Sequence, residues 1–463
     1  MANIGFIQHR LGRTDGVSLE VDKFRTVLER HGHSVHYCAG NDDVPGGQCI
    51  PELYPFHPVT QRILMNATRA LSDYDSPAAL MREVREHADR IKPGFVRFIR
   101  DNRLDLVVPN NLLSVGYNLA GMLALHEAIL ETGVRTVCHN HDFWWEDSGE
   151  VYPTCDEVVA FFEEHAPPVA PNVRHLVINR VAQGELRRRK GVESRVVPNV
   201  FDFSQPEWAP DAFNADFRAS IGLRPGDLFF LQATRILDRK AVELAIDLVA
   251  ELNRPERRRA LESTPLYDGR RFGSEDRIVL VCAGYVEGIG LSGRYVESLV
   301  AKAAELGVDV VWCGERVRHT RGRDEHGKVY SLWDAYVGAD LVTYPSVWEG
   351  WGNQLIEAVF AKLPVVLFEY PVYVSDLREA GFRVASLGDT LGPSDGRGLV
   401  TVPAPALRTA ADQVMRYLQD PDERREAVEH NAERARERYS YEALEGILDE
   451  VLAEHGLRLR GDA

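Results

Sequence analysis

The sequence lacks the features of a membrane-bound or secreted protein. No apolar run reaches the roughly eighteen residues that a membrane-spanning helix needs. The first residues, MANIGFIQHR, lead straight into a strand pattern and show no signal-peptide layout. Cysteine is scarce as well, and the six cysteines form no CxxC pair, which is typical of free thiols. We therefore expect a cytoplasmic protein without a membrane span.

Positive charge is also in short supply. Lys and Arg number 54 against 70 Asp and Glu, which gives a formal net charge of −16. A general nucleic-acid binder needs a basic face, so this balance argues against that class. The 44% hydrophobic content is that of an ordinary globular protein. A chain of 463 residues is too long for one compact core, so we expect two domains.

Strand and helix patterns alternate along the chain, which indicates parallel α/β sheets. Regular apolar periodicity lapses in residues 200–222, and we interpret this stretch as an interdomain linker. The alternation then restarts with DLFFLQATR and becomes purely helical near the end. We predict an α/β protein in which two Rossmann-like domains face a central ligand cleft. The predicted segments are an N-terminal domain at 1–205, a C-terminal domain at 206–438, and a helix at 439–463 that crosses back to the first domain.

Two basic residues mark the first loop of the second domain. In ATRILDRKAVELA, Arg235 follows a strand and Lys240 opens the next helix. The exposed amides and the dipole of a helix N-terminus add to these charges, which suits the loop to a diphosphate. The alternative is a helix N-terminus whose basic residues face water, and this loop alone leaves both interpretations open.

Two glutamates flank a glycine turn in YPSVWEGWGNQLIEAVFAK. Glu349 comes at the end of a strand, and Glu357 lies in the helix that follows Gly350 and Gly352. A carboxylate accepts two hydrogen bonds from vicinal hydroxyls, which suits one glutamate to a ribose and the other to a hexose. The glycines let backbone amides approach a phosphate. The alternative is a surface glutamate plus a capping interaction, and the spacing alone is a weak signal.

Taken in order, these elements resemble the family-4 retaining glycosyltransferases of the two-Rossmann (GT-B) fold. Three further stretches are similar to that family: RVVPNVFD, where Val200 replaces the usual glycine, DAYVGADLVTYPS, and CHNHD with its His-Asp pair. The resemblance covers nearly the whole chain. The stretch EYPVYVSD departs from the usual GG-x-x-E ending and resembles enzymes that make small soluble glycosides.

The resemblance implies a role for each matching position. Arg235 and Lys240 would neutralise the donor's diphosphate and stabilise it as a leaving group. Glu357 would hold the nucleotide ribose, and Glu349 would bind hydroxyls of the transferred sugar. His141 would lie near that sugar and complete the set of catalytic residues. The rest of the donor site would comprise Gly16, Gly350, Gly352, Asn353, Gln354 and Leu355. No metal or other cofactor is implied.

The pair His139 and His141 has a competing explanation. Residues i and i+2 of a strand share a face, so HNHD together with Glu146 could form a metal site. No further cluster of His or Cys supports that alternative. The glycine-rich stretch at 282–293 does not have the GxGxxG spacing of a dinucleotide fingerprint, and we reject that interpretation.

The acceptor is expected to meet the first domain. The loop QHRLGRTDGVS places His9, Arg10 and Arg13 at the end of the first strand. Two arginines in an acidic protein suggest an anionic acceptor, such as a sugar acid or a sugar phosphate. The alternative is that these arginines pair with local carboxylates such as Asp15 or Glu20.

The resemblance therefore implies a retaining hexosyltransferase. It would move glucose or mannose from a nucleotide diphosphate sugar to a small, anionic hydroxyl acceptor. Trp144 would stack on the acceptor sugar or, alternatively, pack in the core. A two-Rossmann glycoside phosphorylase, a nucleotide-sugar epimerase and a non-catalytic nucleotide-sugar binder stay open. The sequence does not fix the base, sugar, acceptor or linkage, nor the oligomeric state, a homo-oligomer included.

Overall fold

A computed structural model describes residues 1–12, 16–44, 46–146, 151–286 and 291–459. The chain forms two compact units. The first consists of Met1–Val200 together with the chain from Tyr441 onward, and the second is Phe201–Ser440. The predicted boundaries lie nearby, at 205/206 and 438/439.

The first unit is built on a seven-stranded parallel sheet with the strand order β3-β2-β1-β4-β5-β6-β7. Its elements are β1 (Asn3–Gln8), α1 (Gly16–Arg30), β2 (Ser34–Ala39), β3 (Gln48–Cys49), α2 (Pro58–Thr68), α3 (Pro77–Asp101), β4 (Leu106–Pro109), α4 (Leu119–Thr132), β5 (Arg135–Asn140), α5 (Asp156–His165), β6 (Val173–Val177), α6 (Arg180–Lys190) and β7 (Ser194–Val196). The strand order reverses between β1 and β4. At such a switch point the carboxyl ends of neighbouring strands open a crevice for ligands.

The second unit contains a six-stranded parallel sheet with the order β10-β9-β8-β14-β15-β16, and a small sheet with the order β11-β13-β12. Its elements are α7 (Phe217–Ser220), β8 (Leu228–Gln232), α8 (Val242–Leu252), α9 (Pro255–Ser263), β9 (Ile278–Cys282), α10 (Leu291–Leu306), β10 (Asp309–Trp312), β11 (Val317–Arg318), β12 (Gly322–Asp324), β13 (Gly327–Ser331), α11 (Leu332–Gly338), β14 (Leu341–Tyr344), α12 (Asn353–Phe360), β15 (Val365–Leu367), β16 (Ala385–Ser386), α13 (Ala404–Gln419) and α14 (Pro421–Tyr439). Here the switch point lies between β8 and β14. The loops that follow these two strands carry Lys240 and Glu349. The two predicted Rossmann-like domains are thus confirmed.

The last helix, α15 (Tyr441–Glu454), belongs to the first unit. Its Leu444 and Leu448 lie in the same buried apolar cluster as Val21 and Phe24 of α1. Full burial of one such leucine contributes roughly 1.5–3 kcal/mol. The predicted return of the C-terminal helix to the first domain is therefore present, and apolar packing holds the helix there.

The stretch predicted to be an interdomain linker is anchored by aromatic side chains. Trp208 stacks on Trp333 of α11 with ring centroids 4.3 Å apart and an angle of 19° between the rings. The same ring contacts Tyr336 and Phe360. Such pairs contribute about 0.5–1.5 kcal/mol beyond area burial. Most of this stretch is therefore a packed part of the second unit rather than a free tether.

Five buried histidines of the first unit have strongly lowered pKa values. Burial lowers the pKa of His9, His126 and His175 from 6.5 to about 4, and that of His141 to about 3. Burial also holds the pKa of His139 well below 6.5. Desolvation disfavours the charged imidazolium, so all five stay neutral near pH 7.

We predict that the first unit loses stability as the pH falls from 6.5 towards 4. In this window the unfolded chain binds more protons than the folded chain, so each such histidine lowers the free energy of unfolding by about 1.4 kcal/mol per pH unit. Burial raises the pKa of Glu20, and it raises that of Glu146 to about 8, so these carboxyls act in the opposite direction. The two carboxyl groups do not cancel the loss of stability that the five histidines cause. Chemical denaturation followed by fluorescence at pH 6.5 and pH 4.5 measures the difference.

A variant pair isolates the histidine contribution. His175→Gln should reduce the slope of unfolding free energy against pH by one histidine's share, whereas His326→Gln, at an exposed position of the second unit, should leave it unchanged. An unaltered slope in His175→Gln would contradict the assignment.

Candidate functional site

The loop after β8 presents Lys240 in a tight turn. A single 3₁₀ turn spans Asp238–Lys240, and Ala241 then adopts a left-handed conformation with φ of 47° before α8 begins. Only 6% of Lys240 is exposed. The backbone N–H of Val347, just after β14, donates to the carbonyl of Arg239 at 2.9 Å. This bond ties the loop after β8 to the loop after β14, across the switch point.

Glu349 joins the two loops through a buried ion pair. Lys240 Nζ donates to Glu349 Oε1 at 2.5 Å, and Arg239 NH1 donates to Glu349 Oε2 at 3.2 Å. Burial lowers the pKa of Lys240, the Glu349 carboxylate opposes that shift, and the charges of Arg239 and Arg235 add to it. The predicted residues Arg235, Lys240 and Glu349 are thus brought together. Arg239 was missed, and its only signal was its place beside Lys240.

Glu357 lies in α12 and is held by a tyrosine. Tyr336 of α11 is buried, and its hydroxyl donates to Glu357 Oε2 at 2.9 Å. Burial, and then the charge of Glu357, raise the pKa of this tyrosine well above 10. The hydroxyl therefore stays protonated and fixes one carboxylate oxygen. Sequence reasoning quoted the stretch DAYVGAD without singling out Tyr336, because spacing does not show which residue faces α12.

The turn between the two glutamates begins α12. Gly350 is half-buried, Gly352 is the N-cap, and Asn353 is the first and exposed residue of the helix. Gln354 and Leu355 are buried in its first turn. An alanine at 352 would force buried neighbours to shift, because its Cβ would lie 2.8 Å from Tyr370 Oη and from Leu377 Cδ1. Amides at a helix N-terminus suit an anion, as the predicted role of this turn requires.

His141 follows β5 in the first unit and is neutral. Its backbone N–H donates to Asn111 Oδ1 at 2.7 Å, and its ring centroid lies 4.2 Å from that of His139. Burial and then the charge of Lys23 lower its pKa to about 3. His141 is therefore a neutral imidazole near pH 7. Asn111, which adopts a φ of 57° and also bonds Asp142, was missed by sequence reasoning.

The predicted acceptor loop is only partly described. His9 follows β1, is buried, and has its pKa lowered to about 4 by burial and then by the charge of Arg10. Arg10 is half-buried, whereas Arg13 lies outside the described residues. Glu20, a proposed alternative partner of the arginines, pairs with Lys23. Of the two arginines predicted to bind the acceptor, Arg10 is the one that the structure describes.

Two predicted positions show contacts of another kind. Trp144 is buried, its Nε1 donates to the carbonyl of Ala166 at 3.0 Å, and its ring stacks on Phe162 at 5.0 Å. These contacts favour core packing over stacking on a sugar. Gly16 begins α1, where an added Cβ would meet no atom within 4 Å. Among the described residues, none gives a steric reason for a glycine at this position.

The described part of the chain contains no group of three or more His, Cys, Asp or Glu side chains that could hold a metal ion. His139, half of the alternative metal pair, has its Nδ1 3.1 Å from Asn110 Oδ1. Among the described helices, none is both long and apolar enough to span a membrane.

Comparison with known proteins assigns the chain to a family. Residues 213–435 match the family described as "Glycosyl transferases group 1". Two curated relatives align over most of the chain at 38% and 34% identity. The chain therefore belongs to the group 1 glycosyl transferases, which confirms the enzyme class implied by the sequence.

Both relatives carry the same name. The mannosylglucosylglycerate synthase of Thermotoga maritima is 38% identical over 97% of this chain and 99% of its own. That of Petrotoga mobilis is 34% identical over 90% of this chain and 94% of its own. The chain is thus similar to these synthases along almost its full length.

Solved structures show the same fold. The Anabaena protein HepE, in complex with UDP and glucose, superposes with a TM-score of 0.55 at 13% identity, covering 98% of this chain and 100% of its own. Such a distant likeness establishes the fold alone, and that fold is GT-B.

We predict that replacement by alanine destabilises the protein at Gly352 but not at Gly16. Gly352→Ala should destabilise the protein by about 1–3 kcal/mol, because its Cβ displaces Tyr370 and Leu377. Gly16→Ala is the matched control and should change stability by less than about 0.5 kcal/mol. Thermal or chemical unfolding measures both.

Removal of the obstructing hydroxyl tests the cause. Tyr370→Phe combined with Gly352→Ala should recover part of the loss that Gly352→Ala produces alone. Full additivity of the two changes would show that the Tyr370 hydroxyl is not the obstacle.

Proposed function

We propose that this chain is a retaining mannosyltransferase that moves a mannosyl group from a nucleotide diphosphate sugar onto glucosylglycerate. The observation that carries the proposal is the Lys240–Glu349–Arg239 cluster, which lies at the switch point just ahead of the glycine turn of α12. The names of the two relatives support mannose as the sugar and glucosylglycerate as the acceptor.

The diphosphate of the donor accounts for the concentration of cations. Arg235, Arg239 and Lys240 belong to one loop, and phosphate oxygens accept charge-assisted hydrogen bonds from such groups. The amides at the start of α12 would add further donors. We propose that these groups neutralise the leaving diphosphate without a metal ion.

Glu349 would exchange its basic partners for hydroxyls of the sugar when the donor binds. Its two carboxylate oxygens pair with Lys240 and Arg239. A nucleotide sugar brings phosphates for the cations and hydroxyls for the carboxylate, so neither charge is left without a partner. Glu357, oriented by Tyr336, would accept hydrogen bonds from the ribose.

We infer the chemical step from the family resemblance, and the positions of these residues are compatible with it. The bond between the anomeric carbon and the phosphate oxygen breaks, and the acceptor hydroxyl attacks from the same face. The acceptor oxygen then forms the new glycosidic bond, and its proton passes to an oxygen of the departing diphosphate. His141, neutral near pH 7, would hydrogen-bond the mannosyl group without supplying a proton.

We predict distinct effects for the two glutamates. Glu357→Ala should weaken binding of the free nucleoside diphosphate by about tenfold to a hundredfold, the value of a hydrogen-bonded carboxylate. Glu349→Gln should not weaken that affinity, because it removes the carboxylate that competes with the diphosphate for Lys240 and Arg239. It should lower turnover by about a hundredfold or more, because its contact is to the transferred sugar. Calorimetry and steady-state kinetics separate the two effects. Glu297→Gln, at an exposed position of α10, is the control.

The donor and product identify the reaction. The protein is incubated with glucosylglycerate and the GDP, UDP or ADP conjugate of mannose or glucose, and NMR gives the anomeric configuration of the product. A mannoside with the donor's configuration supports the proposal. Turnover that requires inorganic phosphate and no nucleotide would point to a phosphorylase, and donor conversion without acceptor would point to an epimerase. Binding without turnover would indicate a non-catalytic binder.

Arg10 provides a test of the acceptor's charge. Arg10→Ala should raise the KM for glucosylglycerate by about tenfold to a hundredfold, the value of a hydrogen bond to a charged group. The KM for uncharged glucosylglycerol should stay unchanged. An equal rise for both acceptors would contradict carboxylate recognition by this residue.

A further inference from the structure

The turn that carries Lys240 is strained and needs support. Ala241 has φ of 47° and ψ of 46°, a left-handed conformation that is unfavourable for a residue with a Cβ. Local bonds close the turn, with Ala241 N donating to the Asp238 carbonyl at 2.9 Å and Leu244 N donating to the Ala241 carbonyl at 3.0 Å. Strain of this kind persists only where surrounding contacts enforce it.

The hydroxyl of Tyr295 and the carboxylate of Glu243 form hydrogen bonds at the start of α8, directly after this turn. The N–H of Val242, the first residue of α8, donates to Tyr295 Oη at 3.0 Å. The Tyr295 hydroxyl donates to Glu243 Oε2 at 2.5 Å, and Val400 N donates to Glu243 Oε1 at 3.0 Å. A single buried carboxylate thereby joins the start of α8, helix α10 and the chain at Val400.

The chemistry of this cluster is suited to fixing geometry. Glu243 is 2% exposed, and both its oxygens accept hydrogen bonds from neutral donors. The Tyr295 hydroxyl accepts one bond and donates another, a combination that a phenylalanine of nearly the same shape lacks. Removal of such a donor leaves a buried carboxylate oxygen without a hydrogen bond, which destabilises the arrangement around it.

We propose that Tyr295 and Glu243 are positioning residues that hold the strained Ala241 turn and thereby direct the Lys240 ammonium towards Glu349. Val242, whose N–H bonds Tyr295, lies two residues after Lys240. A movement of the start of α8 would therefore displace the Lys240 side chain. The inference that donor binding depends on the cluster rests on the proposed function. The inference that Lys240 depends on it does not.

Chemical labelling of lysine tests the positional part without substrate. Acetylation followed by mass spectrometry reports how fast each lysine reacts. In Tyr295→Phe, Lys240 should react about fivefold faster than in the wild type, the factor equivalent to one lost hydrogen bond. Lys23 of the first unit should react at the wild-type rate. Unchanged labelling of Lys240 would overturn the inference.

Kinetics test the functional part with a matched control. Tyr295→Phe should raise the donor KM by about tenfold while the acceptor KM stays constant. Tyr330→Phe removes a similar bond, from a buried tyrosine to Asp216 at 3.0 Å, and should change neither value. Faster Lys240 labelling without a change in donor KM would support the positional role and count against the proposed diphosphate site.

Two further variants distinguish positioning from general stability. Glu243→Gln keeps an oxygen that can accept from Tyr295 and should retain most donor affinity, whereas Glu243→Leu should lose it. Ala241→Gly removes the strain, since glycine adopts positive φ freely. It should therefore reduce the effect of Tyr295→Phe on both labelling and donor KM. Simple additivity of Ala241→Gly and Tyr295→Phe would overturn the inference.

Discussion

The buried pair of Lys240 and Glu349 is the interaction on which the second unit's functional end depends. Without Glu349, the Lys240 ammonium would lose its carboxylate partner at a position that is only 6% exposed, and an unpartnered buried charge destabilises a protein by several kcal/mol. The pair therefore constrains both loops at the β8–β14 switch point. The same two side chains are those to which we assign the donor's diphosphate and the transferred sugar.

The fold and the charged residues of the candidate site could be predicted from the sequence. Residues that join the site through contacts between distant parts of the chain could not. Alternating patterns predicted two parallel sheets, and the motifs located Arg235, Lys240, Glu349 and Glu357. Tyr336 could not be found in this way, because its bond to Glu357 depends on how α11 lies against α12. The packing role of Trp144 was open for the same reason, since an aromatic residue after a strand is equally suited to a surface or a core.

The first unit uses its polar groups differently from the second. Where the second pairs opposite charges, the first surrounds β1 and β5 with neutral imidazoles and amides, such as His9, His141 and Asn111. Neutral groups of this type recognise hydroxyl-rich molecules through direction rather than charge. The burial that keeps these imidazoles neutral also disfavours their protonation in acid.

The return of α15 to the first unit has a consequence for the order of folding during synthesis. The leucines of this helix complete an apolar cluster that includes α1, near the opposite end of the chain. A ribosome releases the amino-terminal segment first, yet the surface of α1 stays uncovered until the final helix emerges. The second unit, continuous from Phe201 to Ser440, needs no such late segment. The domain that is translated first is therefore the one that is finished last.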